Sequence, residues 1–96
     1  MIKISNIRIR GRVLDLPIPS QQLSILANKI ALYIRENQGK ADFKIEGKSI
    51  IISNIKVMQN DRFKRIGTDR ETILVGKISS LLASSNPPVI ANVIVN

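Results

Sequence analysis

The chain contains no cysteine and no histidine. Without cysteine there is no disulfide, no thiolate metal ligand and no thiol nucleophile. Without histidine, the commonest metal ligand, the usual general base and the side chain that titrates near neutral pH are all missing. Tryptophan is absent too, and one tyrosine and two phenylalanines are the only aromatic residues. Stacking of unpaired bases on rings, the ordinary means of reading single-stranded RNA, is therefore nearly out of reach. Acidic residues are few, seven against fifteen lysines and arginines. Glycines stand singly, so no glycine-rich phosphate loop is present. No apolar run approaches the ~20 residues of a membrane-spanning helix. The opening MIKISNIRIRGR alternates charge with isoleucine and lacks the apolar stretch of a secretory signal. These absences lead us to expect a cytoplasmic protein that is not an enzyme, with no cofactor, no metal site and no catalytic residues.

What remains is aliphatic and basic. The 96 residues suffice for a single domain, 1–96. Hydrophobic residues make up 44% of the chain, which is enough for a core. Eighteen of them are isoleucine, and β-branched side chains favour strands. The net charge of +8 calls for an anionic partner, nucleic acid before any membrane surface.

Isoleucines alternate with polar residues from Ile2 onward, with a slip of phase at Ser5-Asn6 that suggests a bulge. Pro17 and Pro19 make an extended connector of Leu14 to Pro19. A helix follows, with Pro19-Ser20 as its N-cap and Gly39 beyond its C-terminus. Leu23, Leu26, Ala27, Ile30 and Ile34 form its apolar stripe, while Ile25 and Leu32 lie on the far side. Asp42 to Glu46 and Ser49 to Val57 read as two strands joined by a turn at Gly47-Lys48. Gln59 to Gly67 reads as a basic loop. Thr68-Asp69-Arg70-Glu71 has capping-box spacing and opens a second helix, with Leu74, Ile78, Leu81 and Leu82 inward. Asn86-Pro87-Pro88 ends it, and Val89 to Val95 is a last strand. The order β-α-β-β-α-β predicts an α+β, ferredoxin-like fold: a four-stranded antiparallel sheet with two helices on one face. A competing assignment makes 50–63 a helix and 72–83 a strand. The isoleucine run at 50–52 and the capping box oppose it. No internal repeat is expected.

Function is expected to follow the charges. Arg8, Arg10 and Arg12 share one parity, so a strand reaching Gly11 would hold all three on the open sheet face. Lys44 would join them, with Lys48 at the hairpin tip and Arg62, Lys64 and Arg65 in the basic loop. These eight residues are the expected contacts to a nucleic-acid phosphate backbone, DNA or RNA, largely without regard to sequence. A merely solvated basic surface would look much the same. The alternative function is a structural or assembly subunit that meets an acidic protein partner. The last strand is apolar on both faces, which is unusual for an edge. Ile90 and Ile94, together with Ile25 and Leu32, are therefore expected interface residues of a homodimer. The topology is that of an RNA recognition motif, but the aromatic residues of that family are missing. Asn37-Gln38-Gly39 before a strand, and Val75-Gly76 before a closing strand, resemble short stretches of the Alba-type archaeal chromatin proteins. That family has strand where this chain has its capping box, and the resemblance implies no more than an inclination toward nucleic acid.

Overall fold

A computed structural model describes all 96 residues. The protein is α+β, with two helices and an antiparallel sheet of six strands. In chain order these are β1 (Ile2–Ile9), β2 (Leu16–Pro17), α1 (Ser20–Glu36), β3 (Gly39–Glu46), β4 (Ser49–Gln59), β5 (Arg62–Arg65), α2 (Thr68–Ala83) and β6 (Val89–Val95). The isoleucine-rich strands β1 and β4 pair at the centre, β6 flanks β1, and β3 flanks β4. The short strands lie in line with the central pair, β2 beside the far end of β1 and β5 beside the far end of β4. No helix is long and apolar enough to cross a membrane.

One face of the sheet carries the core. Ile2, Ile4 and Ile7 of β1 and Ile50, Ile52 and Ile55 of β4 are buried against Leu23, Leu26, Ala27, Ile30 and Ile34 of α1 and Ile78 and Leu82 of α2. The residues between them, such as Lys3, Arg8, Ile51 and Lys56, point to the other face, which no helix covers. No polar or charged side chain is buried.

Several expectations need correction. The sheet has six strands rather than four, because both segments expected to be connectors pair through their backbones. Asn60 and Asp61 both adopt positive φ, 53° and 62°, making a two-residue hairpin turn that sends the basic segment back along β4 as β5. The capping box does not form: Gly67 is the N-cap of α2, with no side-chain cap, and Thr68 is already helical. Pro19 likewise caps α1 without a side-chain bond, and Ser20 is the first helical residue. At the end of α1 the left-handed residue is Gln38, φ 61°, and Gly39 instead begins β3. Glycine is needed there for space, since a Cβ would fall 3.0 Å from the Lys56 carbonyl oxygen.

The two halves of the chain repeat one another, contrary to the expectation of no repeat. Ile4-Ser5-Asn6-Ile7-Arg8 recurs 48 positions later as Ile52-Ser53-Asn54-Ile55-Lys56, a shift of half the 96 residues. Both asparagines have left-handed backbones, φ 51° and 50°, each at a bulge. The pairings Arg8↔Pro17 and Ile9↔Leu16 recur as Lys56↔Arg65 and Val57↔Lys64. The hydrogen bond from Ile18 N–H to the Ile7 carbonyl recurs from Ile66 to Ile55. Each helix begins at the same place in its half, Ser20 and Thr68. Even the clefts beside the helices correspond, about 280 Å³ lined by Ile18, Ile25, Leu26 and Lys29 and about 290 Å³ lined by Ile66, Ile73, Leu74 and Lys77. Lys3 and Ile51 are direct partners between β1 and β4 and are also equivalent under the shift, so a pseudo-two-fold axis passes between them. Two extra residues precede β6, so that Phe43 opposite Ile52 corresponds to Val93 opposite Ile4.

Candidate nucleic-acid interface

The uncovered sheet face is assembled by strand register. Lys40 of β3, Lys56 of β4 and Arg65 of β5 are successive cross-strand partners and form one row. A second row runs Lys44, Ile51, Lys3 and Ile94 across β3, β4, β1 and β6. Arg8 stands opposite Ile90 on the same face. Phe63, opposite Met58, is 41% exposed beside the first row, and Lys40 Nζ lies 4.3 Å from its ring centroid. Three acids, Asp15, Asp42 and Glu46, share the face with the six cations Lys3, Arg8, Lys40, Lys44, Lys56 and Arg65. The helical side carries Lys29, Arg35, Arg70 and Lys77, with Arg62 and Lys64 of β5, against Glu36, Asp69 and Glu71. The positive charge is thus shared between the two sides, and what sets the open face apart is the unbroken row Lys40, Lys56 and Arg65 on strands that no helix covers.

Short polar links hold the basic end of the sheet. Asn54 Nδ2 donates to Asp42 Oδ2 at 2.8 Å, and Arg65 Nη2 donates to Asn54 Oδ1. Asn54 reaches both because its bulge aims the side chain between β3 and β5. The ion pairs on this side, Arg8 to Asp15 at 3.9 Å and Lys44 to Glu46 at 3.5 Å, are both partly or fully exposed. Pairs of that kind contribute about 0–1 kcal/mol, so a phosphate can displace them at small cost. Lys40, Lys56 and Arg65 lie on strands about 4.8 Å apart, and like charges near 6 Å repel by roughly 0.7 kcal/mol in water-like dielectric. The row is therefore tolerable alone and relieved by an anion.

The eight expected contact residues do not all meet. Arg8 and Lys44 lie on this face, and Arg65 joins them through β5. β1 ends at Ile9, so the expected row of three arginines is cut short. Arg10 follows the strand, its N–H bonded to the Pro88 carbonyl, and Arg12 lies in the bend at 12–14, off the sheet. Lys48 is at the exposed turn between β3 and β4. Arg62 and Lys64 are paired with Gln59 and Val57 on the opposite face of β5. Sequence reasoning missed Lys3, Lys40 and Lys56. Lys56 was available as the repeat equivalent of Arg8. The expected interface residues separate as well: Ile90 and Ile94 lie on β6 at the open face, while Ile25 lines a cleft on the helical side and Leu32 projects from α1.

No group of three or more acidic, histidine or cysteine side chains is placed to hold a metal ion. Comparison with protein-family models, curated proteins and solved structures finds no match.

Proposed function

We propose that the protein binds nucleic acid by its phosphate backbone, laid across the open face of the sheet, with little dependence on base sequence. One observation carries this reading: Lys40, Lys56 and Arg65 form an unbroken row of cations across three adjoining strands on a face that no helix covers, with Phe63 beside it. We infer also that the four longer strands and two helices are a ferredoxin-like unit, extended by β2 and β5. The outward residues of the central strands, among them Lys3, Ser5, Arg8, Ile51, Ser53, Lys56 and Met58, include no aromatic ring. Phe63 alone offers a ring, at one end of the face. Affinity then comes chiefly from charge and from release of condensed counterions.

The test is a salt series with random duplex DNA, duplex RNA and single strands. Replacing Lys40, Lys56 and Arg65 together by alanine is expected to weaken binding to all sequences alike. It should also flatten the log–log salt slope by about 0.9 for each duplex phosphate no longer neutralised. Replacing Lys29, Arg35 and Lys77 on the helical side removes the same charge and is expected to do much less. If that control weakens binding equally, only net charge is being read and the site is wrong. A parent protein that binds nothing at low salt rejects the reading altogether. In that event the second reading, a subunit docking an acidic protein, takes its place. It is favoured by Ile51, Ile90 and Ile94 lying among the cations of the same face.

A further inference from the structure

The repeat gives each edge strand an internal reference. β3 and β6 occupy equivalent positions at opposite edges of the long strands, each bonded to one neighbour. At corresponding places on the open face β3 carries Lys40, Asp42 and Lys44, and β6 carries Ile90, Asn92 and Ile94. Charges on an edge strand protect it from pairing with other chains. β3 has that protection and β6 has none: Val89–Val95 contains no charge and no proline. Ile94 is 47% exposed.

We propose that β6 pairs antiparallel with β6 of a second copy of this chain, about a two-fold axis at Asn92. This inference does not depend on nucleic-acid binding. The occupant follows from charge and register. A molecule of charge +8 meets its own copy at least cost along a segment with no charge, because like charges placed opposite one another destabilise a strand pair. The backbone parity also fits. The Pro88 carbonyl accepts from Arg10, and the Asn96 N–H donates to Met1, so the even-numbered residues of β6 bond to β1. The odd-numbered residues Val89, Ala91, Val93 and Val95 therefore direct their N–H and C=O groups outward. Centring the axis on Asn92 pairs Val89 with Val95, and Ala91 with Val93, of the copy. All four outward residues are used, and so is the whole strand. On the open face Ile90 then meets Ile94 of the copy on each side of an asparagine pair.

The helix above the edge leaves room. Arg70, Ile73, Leu74 and Lys77 of α2 line the cleft shared with Tyr33 of α1. By helical geometry the opposite flank of α2 presents Thr72, Ser79 and Ala83, all short, uncharged and exposed. The paired copies would form one continuous sheet with their open faces side by side.

The experiment exploits the absence of cysteine. Asn92→Cys places a thiol opposite its own copy in a non-hydrogen-bonded pair, with Cα atoms about 4.5 Å apart, within the range a disulfide spans. Under mild oxidation it is expected to yield a covalent dimer. Asp42→Cys, the equivalent site on β3, is expected to stay monomeric. So is Ile90→Cys, whose own copy lies roughly 13 Å away along the strands. Sedimentation equilibrium of the parent at tens of micromolar should show a dimer. Ile94→Lys, with an unchanged far-ultraviolet circular dichroism spectrum, should raise its dissociation constant roughly tenfold or more, since the symmetry applies the change twice. A parent that stays monomeric at several hundred micromolar overturns the proposal, as does cross-linking of Asn92→Cys no faster than that of Asp42→Cys.

Discussion

The twin bulges allow one side-chain network to be weighed against an internal control. Asn6 and Asn54 share a left-handed backbone, φ 51° and 50°. A residue with a Cβ in that region costs about 1–2 kcal/mol, and asparagine reduces the cost by bonding locally. Asn6→Ala is thus expected to lose about 1 kcal/mol. Asn6→Gly removes the steric cost but adds freedom to the unfolded chain, and the two effects of roughly 0.5–1 kcal/mol nearly cancel. At Asn54 the side chain does more. It donates to Asp42 at 2.8 Å and accepts from Arg65, whereas the hydrogen bond at Asn6 is to its backbone carbonyl, from Arg8 Nε at 3.4 Å. Hydrogen bonds to charged groups contribute about 1.5–3 kcal/mol when shielded, and these are exposed, so the pair together is discounted to about 1 kcal/mol.

The expected order of destabilisation is therefore Asn54→Ala at about 2 kcal/mol, Asn54→Gly and Asn6→Ala near 1, and Asn6→Gly near zero. Urea unfolding with an unchanged slope measures it, and thermal melts should follow at roughly 4–8 °C per kcal/mol for a domain of this size. If Asn6→Gly costs as much as Asn6→Ala, the backbone explanation is wrong. If the two sites respond alike, the Asp42–Asn54–Arg65 links add nothing to stability.

Three further sites test the local structure. Gly39→Ala brings a Cβ to 2.9 Å from Ile34 Cγ2 and 3.0 Å from the Lys56 carbonyl, and is expected to lose about 1–3 kcal/mol. Gly76→Ala, on an exposed turn of α2 with nothing within 4 Å, should instead gain about 0.5–1 kcal/mol, so the two melts move in opposite directions. Thr68→Ala is expected to change stability by less than about 0.5 kcal/mol, because Gly67 is the N-cap; a loss near 1 kcal/mol would show that the threonine caps α2 after all.

Burial decided what could be read from the letters. The stripe Leu23, Leu26, Ala27, Ile30, Ile34 was legible because those side chains are the ones α1 buries. The inward isoleucines of β1 and β4 were legible for the same reason. β5 was not, because all of Arg62–Arg65 is exposed and the strand is held by its backbone, which leaves no hydrophobic alternation to see. The arginine row failed differently. Alternation of Arg8, Arg10 and Arg12 continues past Ile9, but parity among charged residues says nothing of where pairing stops. The row that does form, Lys40–Lys56–Arg65, needs the register of three strands and the bulge at Asn54, neither of which any single segment encodes.

The repeat was in plain view as Ile-Ser-Asn-Ile and was hidden by divergence around it, such as Leu23 against Glu71. That divergence is itself informative. At Ile2/Ile50, Ile4/Ile52 and Ile30/Ile78 the halves agree, the residues are fully buried and the shared constraint is packing. Elsewhere the halves have diverged, and at the sheet edges they have done so in charge. β3 and β6 hold equivalent places, yet one is charged and the other aliphatic. Solvent accounts for the first. An edge bare of charge beside it in the same molecule requires a different environment, and the self-complementary register about Asn92 gives a second copy of the chain as its simplest source.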